Sequence, residues 1–365
     1  PDARFLVTAG RRHSLLDGAG ARELAAALAA GDDELPPADL IATFSHLRTE
    51  RQRRADSLAR RLARATGEDL TALVAALPVR PVLLDVGQGR LSATRLAALR
   101  AGGIAAAVAM VHDATALERP DLVRAAAPNR LLGLLAAVAL CDGVLWSSAE
   151  TARQAEAVME AVPPAAIAPP GADALPEVPP AAGPPGFVMP GTIEPRRNHL
   201  GMLWLWQRLH AELGDAAPRL HLIGRRGREA GMVHDALDRA PMMGHAVIEH
   251  GPLPAAEAAG LIRAARAVLL PGFAAGHGMD ALPALAAGTP VLAADLPALR
   301  EHLGDAPDWL DPLDLPGWLE AVLAYAEPDA PQRDAARARL AAWTPPRWEA
   351  HFAAADALIA RVAPG

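Results

Sequence analysis

Between Pro169 and Gly186 the chain reads PPGADALPEVPPAAGPPG. Proline fixes φ and offers no backbone N–H, so a stretch this rich in it can join neither a helix nor the middle of a sheet. It reads as an extended strap, and whatever folds must fold on either side of it. Before it lie the apolar runs RFLVTAG, PVLLDVG, AAAVAMVHD, GVLWSS and AAIAPPG; after it come GFVMPG, RLHLIGR, VIEHG, AVLLPG and PVLAAD. These runs alternate with helix-like stretches, which predicts an α/β protein of parallel sheets wrapped by helices. Two such halves joined by a strap predict a cleft between them.

A length of 365 residues suits about two buried cores. We assign residues 1–170 and 187–344 to the two domains, 171–186 to the linker, and 345–365 to a C-terminal helix. That helix offers Trp348, Phe352, Leu358 and Ile359 for burial and can pack back on either half.

Composition then excludes several functions. With 52% hydrophobic and 21% charged residues the chain is of the globular class, and with 4% aromatics its cores must be built from Ala, Leu and Val. All 35 basic residues are arginine, which removes Schiff-base and lysine-nucleophile chemistry. A formal charge of -7 gives nucleic acid no general electrostatic reason to bind. Cys141 is the single cysteine, so no internal disulfide or cysteine metal cluster can form, and its apolar setting reads as a buried thiol. Metal motifs of the Asp-x-Asp and His-Glu-x-x-His types are missing, as is a Gly-x-Ser-x-Gly elbow. GRRG, Gly224–Gly227, lacks the third glycine and the downstream acid of a dinucleotide turn.

The chain opens on Pro1 without a charged-then-apolar leader, and no run of about 18 apolar residues is present, so the expected location is cytoplasmic. HLRTERQRRADSLARRLARATG, residues 46–67, is a basic helical pattern with Leu58 and Leu62 on one face. It fits peripheral contact with anionic lipid at the inner membrane face, or a solvated helix with Glu–Arg pairs. Ser147, with Glu150 three residues on, reads as a capping box.

The run PGFAAGHGMDALPALAAGTPV, Pro271–Val291, follows a strand-like segment and turns into a helix pattern over Ala281–Ala287. Gly276 and Gly278 let backbone come close to a phosphate, and arginines supply forked donors for one.

These pieces together resemble the nucleotide-sugar domain of the retaining glycosyltransferases of family 4 (group 1). GTIEPRRNH (Gly191–His199), LHLIGRRG, EHGPLPAAEAAGLIRAARAVLLPG and GHGMDALPALAAGTPVLAADLPALREHLGDA follow that family's order over roughly 120 residues. Before the strap the likeness is looser: VHDATALERPD resembles the strand-end His-Asp, and LLDVGQGRL stands where some relatives carry Gly-His.

The resemblance implies a GT-B fold, two Rossmann-like domains facing a central cleft. It implies a retaining, metal-independent transfer from a GDP- or UDP-linked sugar to a polysaccharide or lipid-linked glycan, in which the leaving phosphate takes the acceptor's proton. No bound cofactor is implied. GTIEPRRN resembles the mannosyltransferases in particular, which suggests GDP-mannose. Arg197 stands in the place of the family's phosphate-binding lysine, Arg196 is the alternative contact, and Gly191 ends the preceding strand. His112 and Asp113 fall where relatives face the sugar and phosphate, unless His112 is a structural residue. His277 replaces an aromatic and either meets a phosphate or fills space.

The family's two donor-loop glutamates are Ala275 and Pro283 here. Asp280 is the one acid left in the loop, either standing in for a glutamate or capping the helix. Loss of a charged hydrogen bond to ribose costs about 1.5–3 kcal/mol. Two readings follow: a working glycosyltransferase, or a degenerate GT-B protein that serves as the binding or scaffold subunit of a glycosylation complex.

Overall fold

The computed structural model describes residues 3–9, 11–30, 35–39, 49–87 and 91–363. Its contacts divide the chain into two compact units, Pro1–Leu83 with Ala93–Ala107, and Leu84–Ser92 with Val108–Ala363.

The first unit carries strands β1 (Phe5–Ala9), β2 (Arg12–Leu16) and β3 (Ala65–Gly67) in one sheet of that order. β1 was expected in a parallel sheet, but it pairs antiparallel with β2, Phe5 opposite Leu16. Only two residues separate the strands, and a link that short permits a hairpin and nothing else. Helix Glu50–Leu62 is closed at its start by a Thr49/Gln52 capping box and turns Ser57, Leu58 and Ala59 inward. Leu58, half of the apolar face proposed for lipid, is therefore spent on this unit's own interior, and Arg60 is bound to Asp39 at 2.5 Å. The start of the 46–67 segment, residues 46–48, lies outside the described residues, as do residues 88–90 of LLDVGQGRL.

A four-stranded sheet follows in the order β4 (Val82–Asp85), β5 (Ala106–Val111), β6 (Gly143–Trp146), β7 (Ala165–Ile167), and the division between units passes through β4 and β5. β5, β6 and β7 run parallel, Val108 beside Gly143 and Val144 beside Ala165. Helix Trp348–Val362 lies on this sheet: Ala355 and Leu358 share a buried cluster with Val108, Met110, Leu145 and Ala168. Phe352, expected to be buried, is 57% exposed and stacks on Trp348. Cys141 is buried.

The larger sheet comprises β8 (Phe187–Pro190), β9 (Leu220–Ile223), β10 (Val247–Gly251), β11 (Ala267–Leu270), β12 (Val291–Ala294) and β13 (Asp308–Leu310). All pairs are parallel, in the order β10-β9-β8-β11-β12-β13. Alternate residues face opposite sides of a strand, and here both sides are covered. Phe187, Met189, Leu222 and Leu269 enter one core with Trp206 and Trp318; Val188, Val268, Val291 and Ala293 enter the other with Leu285 and Leu299. Trp206 meets Phe187 edge-on at 5.8 Å and donates its indole N–H to the Pro218 carbonyl at 2.7 Å. The Pro-rich strap has no regular structure and lies along this half, with Ala181 N–H donating to Gly260 O at 2.9 Å.

Two imidazoles enter this half as neutral groups. Burial, and then the charge of Arg197, pushes His199 down to about 3. Burial, and then His250 and Arg219, pushes His221 down to about 4. Because both folded values lie below the unfolded one, their contribution is complete above pH of about 6.5 and is lost as the pH falls towards the folded values. We expect chemical-denaturation midpoints to drop between about pH 6.5 and 4, each histidine adding a slope of up to about 1.4 kcal/mol per pH unit, less for the partly exposed His221. His199→Gln should flatten the curve.

Candidate functional site

The order β10-β9-β8-β11-β12-β13 is 3-2-1-4-5-6 in chain order, and the chain's direction of winding reverses between β8 and β11. In open parallel sheets the loops beyond the strand ends diverge at such a point and leave a crevice. A cavity of about 210 Å³ lies there, walled by Met189 and Pro190 from the end of β8 and by Leu269, Leu270 and Pro271 from the end of β11.

Two loops complete it. After β8 the chain passes Gly191 and makes a 3-10 turn, Pro195–Arg197, before Asn198 takes a left-handed conformation (φ 58°) and starts helix His199–Leu213. The Asn198 amide donates to the carbonyls of Pro271 and Pro312, both at 3.1 Å, so the arginine turn is pinned to the loop after β11. Phe273 N–H adds a bond to Arg196 O at 2.8 Å. Arg196 and Arg197 are thereby presented on the cavity wall beside Ala275, Gly276, His277, Gly278 and Asp280.

The arginines are already compensated. Glu194 accepts from Arg196 Nε at 2.8 Å and lies 3.6 Å from Arg197 Nε. Arg197 Nη1 lies 2.6 Å from Asp280 Oδ2 and donates to Pro190 O at 3.3 Å. Asp280 thus pairs with Arg197, while helix Leu282–Ala286 begins at Ala281 with no side-chain cap. Pro283 sits in that helix's first turn, where its missing N–H costs nothing.

Gly191 backs the guanidinium. Its φ is 106°, and a Cβ there would lie 2.4 Å from Arg197 Nη1, so any larger residue would push the arginine off the wall. Gly276 brings the opposite wall close: its Cβ would lie 2.7 Å from the Cβ of Asp113, the residue after the β5 end. Asp113 lines the cavity and accepts from the Thr115 hydroxyl at 2.8 Å. Gly278 (φ 69°) packs over Leu299.

The His112 imidazole is not on the cavity wall: its Nε2 pairs with the Val86 carbonyl at 2.7 Å. Its own carbonyl accepts from the Ser147 hydroxyl. Ser147 therefore does not cap the next helix; Ser148 does, accepting from Thr151 N–H at 2.9 Å. His277 lines the cavity and meets His302 edge-on at 6.4 Å; burial, and then the charges of His302 and His112, hold its pKa below the ordinary value.

Sequence reasoning missed Glu194, Asn198 and Glu301. Asn198 lay within the quoted GTIEPRRNH, and its position just before the helix could have flagged it. Glu194 and Glu301 act through contacts that a single sequence does not encode as spacing. Among the described residues no group of His, Cys, Asp or Glu is placed to hold a metal ion, and no helix is long and apolar enough to cross a membrane.

Residues 184–327 match the family described as "Glycosyl transferases group 1". A stretch of 149 residues is 33% identical to the O-antigen chain mannosyltransferase B of Escherichia coli, covering 41% of this chain and 38% of that protein, less than half of either. The fold is similar to that of sucrose-phosphate synthase from Thermosynechococcus elongatus (TM-score 0.58, 18% identity, 77% of this chain and 73% of that one). It is also similar to the apo form of the lipopolysaccharide outer core galactosyltransferase WaaB (TM-score 0.55, 14% identity, 80% and 78%). With its glycine loop and arginine turn at the winding reversal, the segment 184–327 is similar to the group 1 glycosyltransferases, on an α/β fold with two parallel sheets that matches GT-B glycosyltransferase structures.

Proposed function

We propose that the cavity seats the diphosphate of a nucleotide-sugar and that the chain transfers the sugar, with retention and without a metal, to a glycan or lipid-linked acceptor. The supporting observation is that Arg196, Arg197 and the Gly276–Gly278 bend line one cavity at the carboxyl ends of β8 and β11. Forked guanidinium donors beside close-approaching backbone suit a group whose negative charge grows as it leaves. The departing phosphate takes the acceptor's proton, so no protein base is required. Asp113, on the facing wall, is placed to orient a sugar hydroxyl. Mannose from GDP-mannose is the donor we favour, because the Escherichia coli relative is named a mannosyltransferase. We assign residues 187–344 to donor binding, residues 1–170 to the acceptor side, and cytoplasmic work to the whole. Arg51 and Arg61, exposed on helix Glu50–Leu62, are what remains for an anionic membrane surface.

A second reading keeps a specific observation: with Ala275 and Pro283 in the loop and Asp280 bound to Arg197, the chain serves as a non-catalytic scaffold in a glycosylation complex. Calorimetric titration with GDP, UDP, GDP-mannose and UDP-glucose, followed by a donor-hydrolysis assay, separates the two. Binding with slow hydrolysis is the expected result; no binding at millimolar nucleotide would leave the scaffold.

A further inference from the structure

Helix Ala149–Glu156 follows β6, and Ser148 takes only its Thr151 amide. The first amides of a helix need partners from elsewhere. Ala149 and Glu150 find theirs in one carboxylate, Glu301, whose oxygens accept at 2.6 and 3.1 Å across more than 150 residues of sequence. Glu301 sits on helix Pro297–Leu303, which follows β12, so one side chain ties an element of the smaller parallel sheet to an element of the larger.

Both ends of that tie are one step from the cavity. On one side, Ser147 holds the carbonyl of His112, next to Asp113. On the other, Leu299 packs under Gly278 and forms part of the cavity wall. Asp113 and Gly276, which pack against each other at the cavity wall, follow strands of different sheets, so their contact depends on what holds the sheets in register.

We propose that Glu301 is a positioning residue that clamps the helix after β6 to the helix after β12 and so fixes the Asp113 wall against the Gly276 loop. A negative charge with two acceptors at a helix start is suited to this, because the bonds are charge-assisted and the helix dipole adds to them. The clamp acts on the donor cavity and therefore rests on the function proposed above.

The contact can be broken from either side. Glu301→Gln removes the charge, and Ala149→Pro removes one amide at a position where proline suits a helix and where Ser148 already has extended backbone. Hydrogen exchange read by mass spectrometry on the full chain should rise about tenfold at residues 149–152 and at 276–280 in each variant, and no further in the double variant. GDP affinity should stay within about twofold, while GDP-mannose hydrolysis falls about tenfold, since misplacing a wall by a fraction of an ångström acts on turnover. Glu301→Asp should restore part of the loss. Faster exchange confined to residues 149–152, or additive effects in the double variant, would overturn the clamp. Failure of the wild-type chain to bind GDP would sink the donor-site reading, and the exchange data would still decide the clamp.

Discussion

Arg197→Ala should lower GDP affinity about tenfold to a hundredfold, the worth of about 1.5–3 kcal/mol for a charged hydrogen bond. Arg197 is the cation whose guanidinium is packed against Gly191 and directed to the cavity by Pro190 O and Asp280. Arg196 is tied to Glu194 and should matter less, so Arg196→Ala serves as the graded control. In the proposed donor site the Asp280 carboxylate occupies the arginine that a phosphate would need, and binding would have to displace it. Asp280→Asn should therefore raise GDP affinity several-fold, and the double change Arg197→Ala with Asp280→Asn should show no such gain. Calorimetry with GDP checks all four. An Arg197→Ala chain that binds GDP like the parent would mean that the nucleotide, if it binds, sits elsewhere.

Ala275→Glu combined with Pro283→Glu is the second large effect. Ala275 already lines the cavity, and Pro283 occupies the first turn of helix Leu282–Ala286, where an acid suits the helix start. If the loop has merely lost its ribose and sugar contacts, GDP-mannose should bind about tenfold to a hundredfold more tightly and hydrolyse faster, by the same arithmetic for charged hydrogen bonds. A loss of affinity would show instead that the loop has been rebuilt around Asp280, whose charge would then repel the new acids. Isothermal titration and a coupled assay for released GDP give both quantities.

Most of the strands could be read from short, mainly apolar runs between helix-like stretches. β8, β9, β11 and β12 are buried on both faces and read plainly, as does β5, whose six residues are all buried. β13, Asp308–Leu310, was missed because three residues with a leading aspartate carry too little pattern. β2 was missed because RHSLL mixes polar and apolar residues in a small antiparallel sheet, and that sheet claimed β1 as well.

At the site, local order was legible: the glycine bend and the arginine turn could be placed because each is a short run with its own chemistry. What could not be read was which partner each charge takes. Asp280 had two open roles and proved to pair with Arg197, and Glu301 gave no hint of reaching residue 149. The His112 ring turns to Val86 because a carbonyl lies within reach there, which no spacing announces.

Helix Trp348–Val362 covers β5 and β6 from far downstream in the chain. A polypeptide still on the ribosome, with the strap just emerged, carries Val108, Met110 and Leu145 on a face that nothing yet shields. Vectorial synthesis therefore cannot cover this face of the smaller parallel sheet before the larger one has been translated, an interval in which exposed apolar surface favours sticking and chaperone capture.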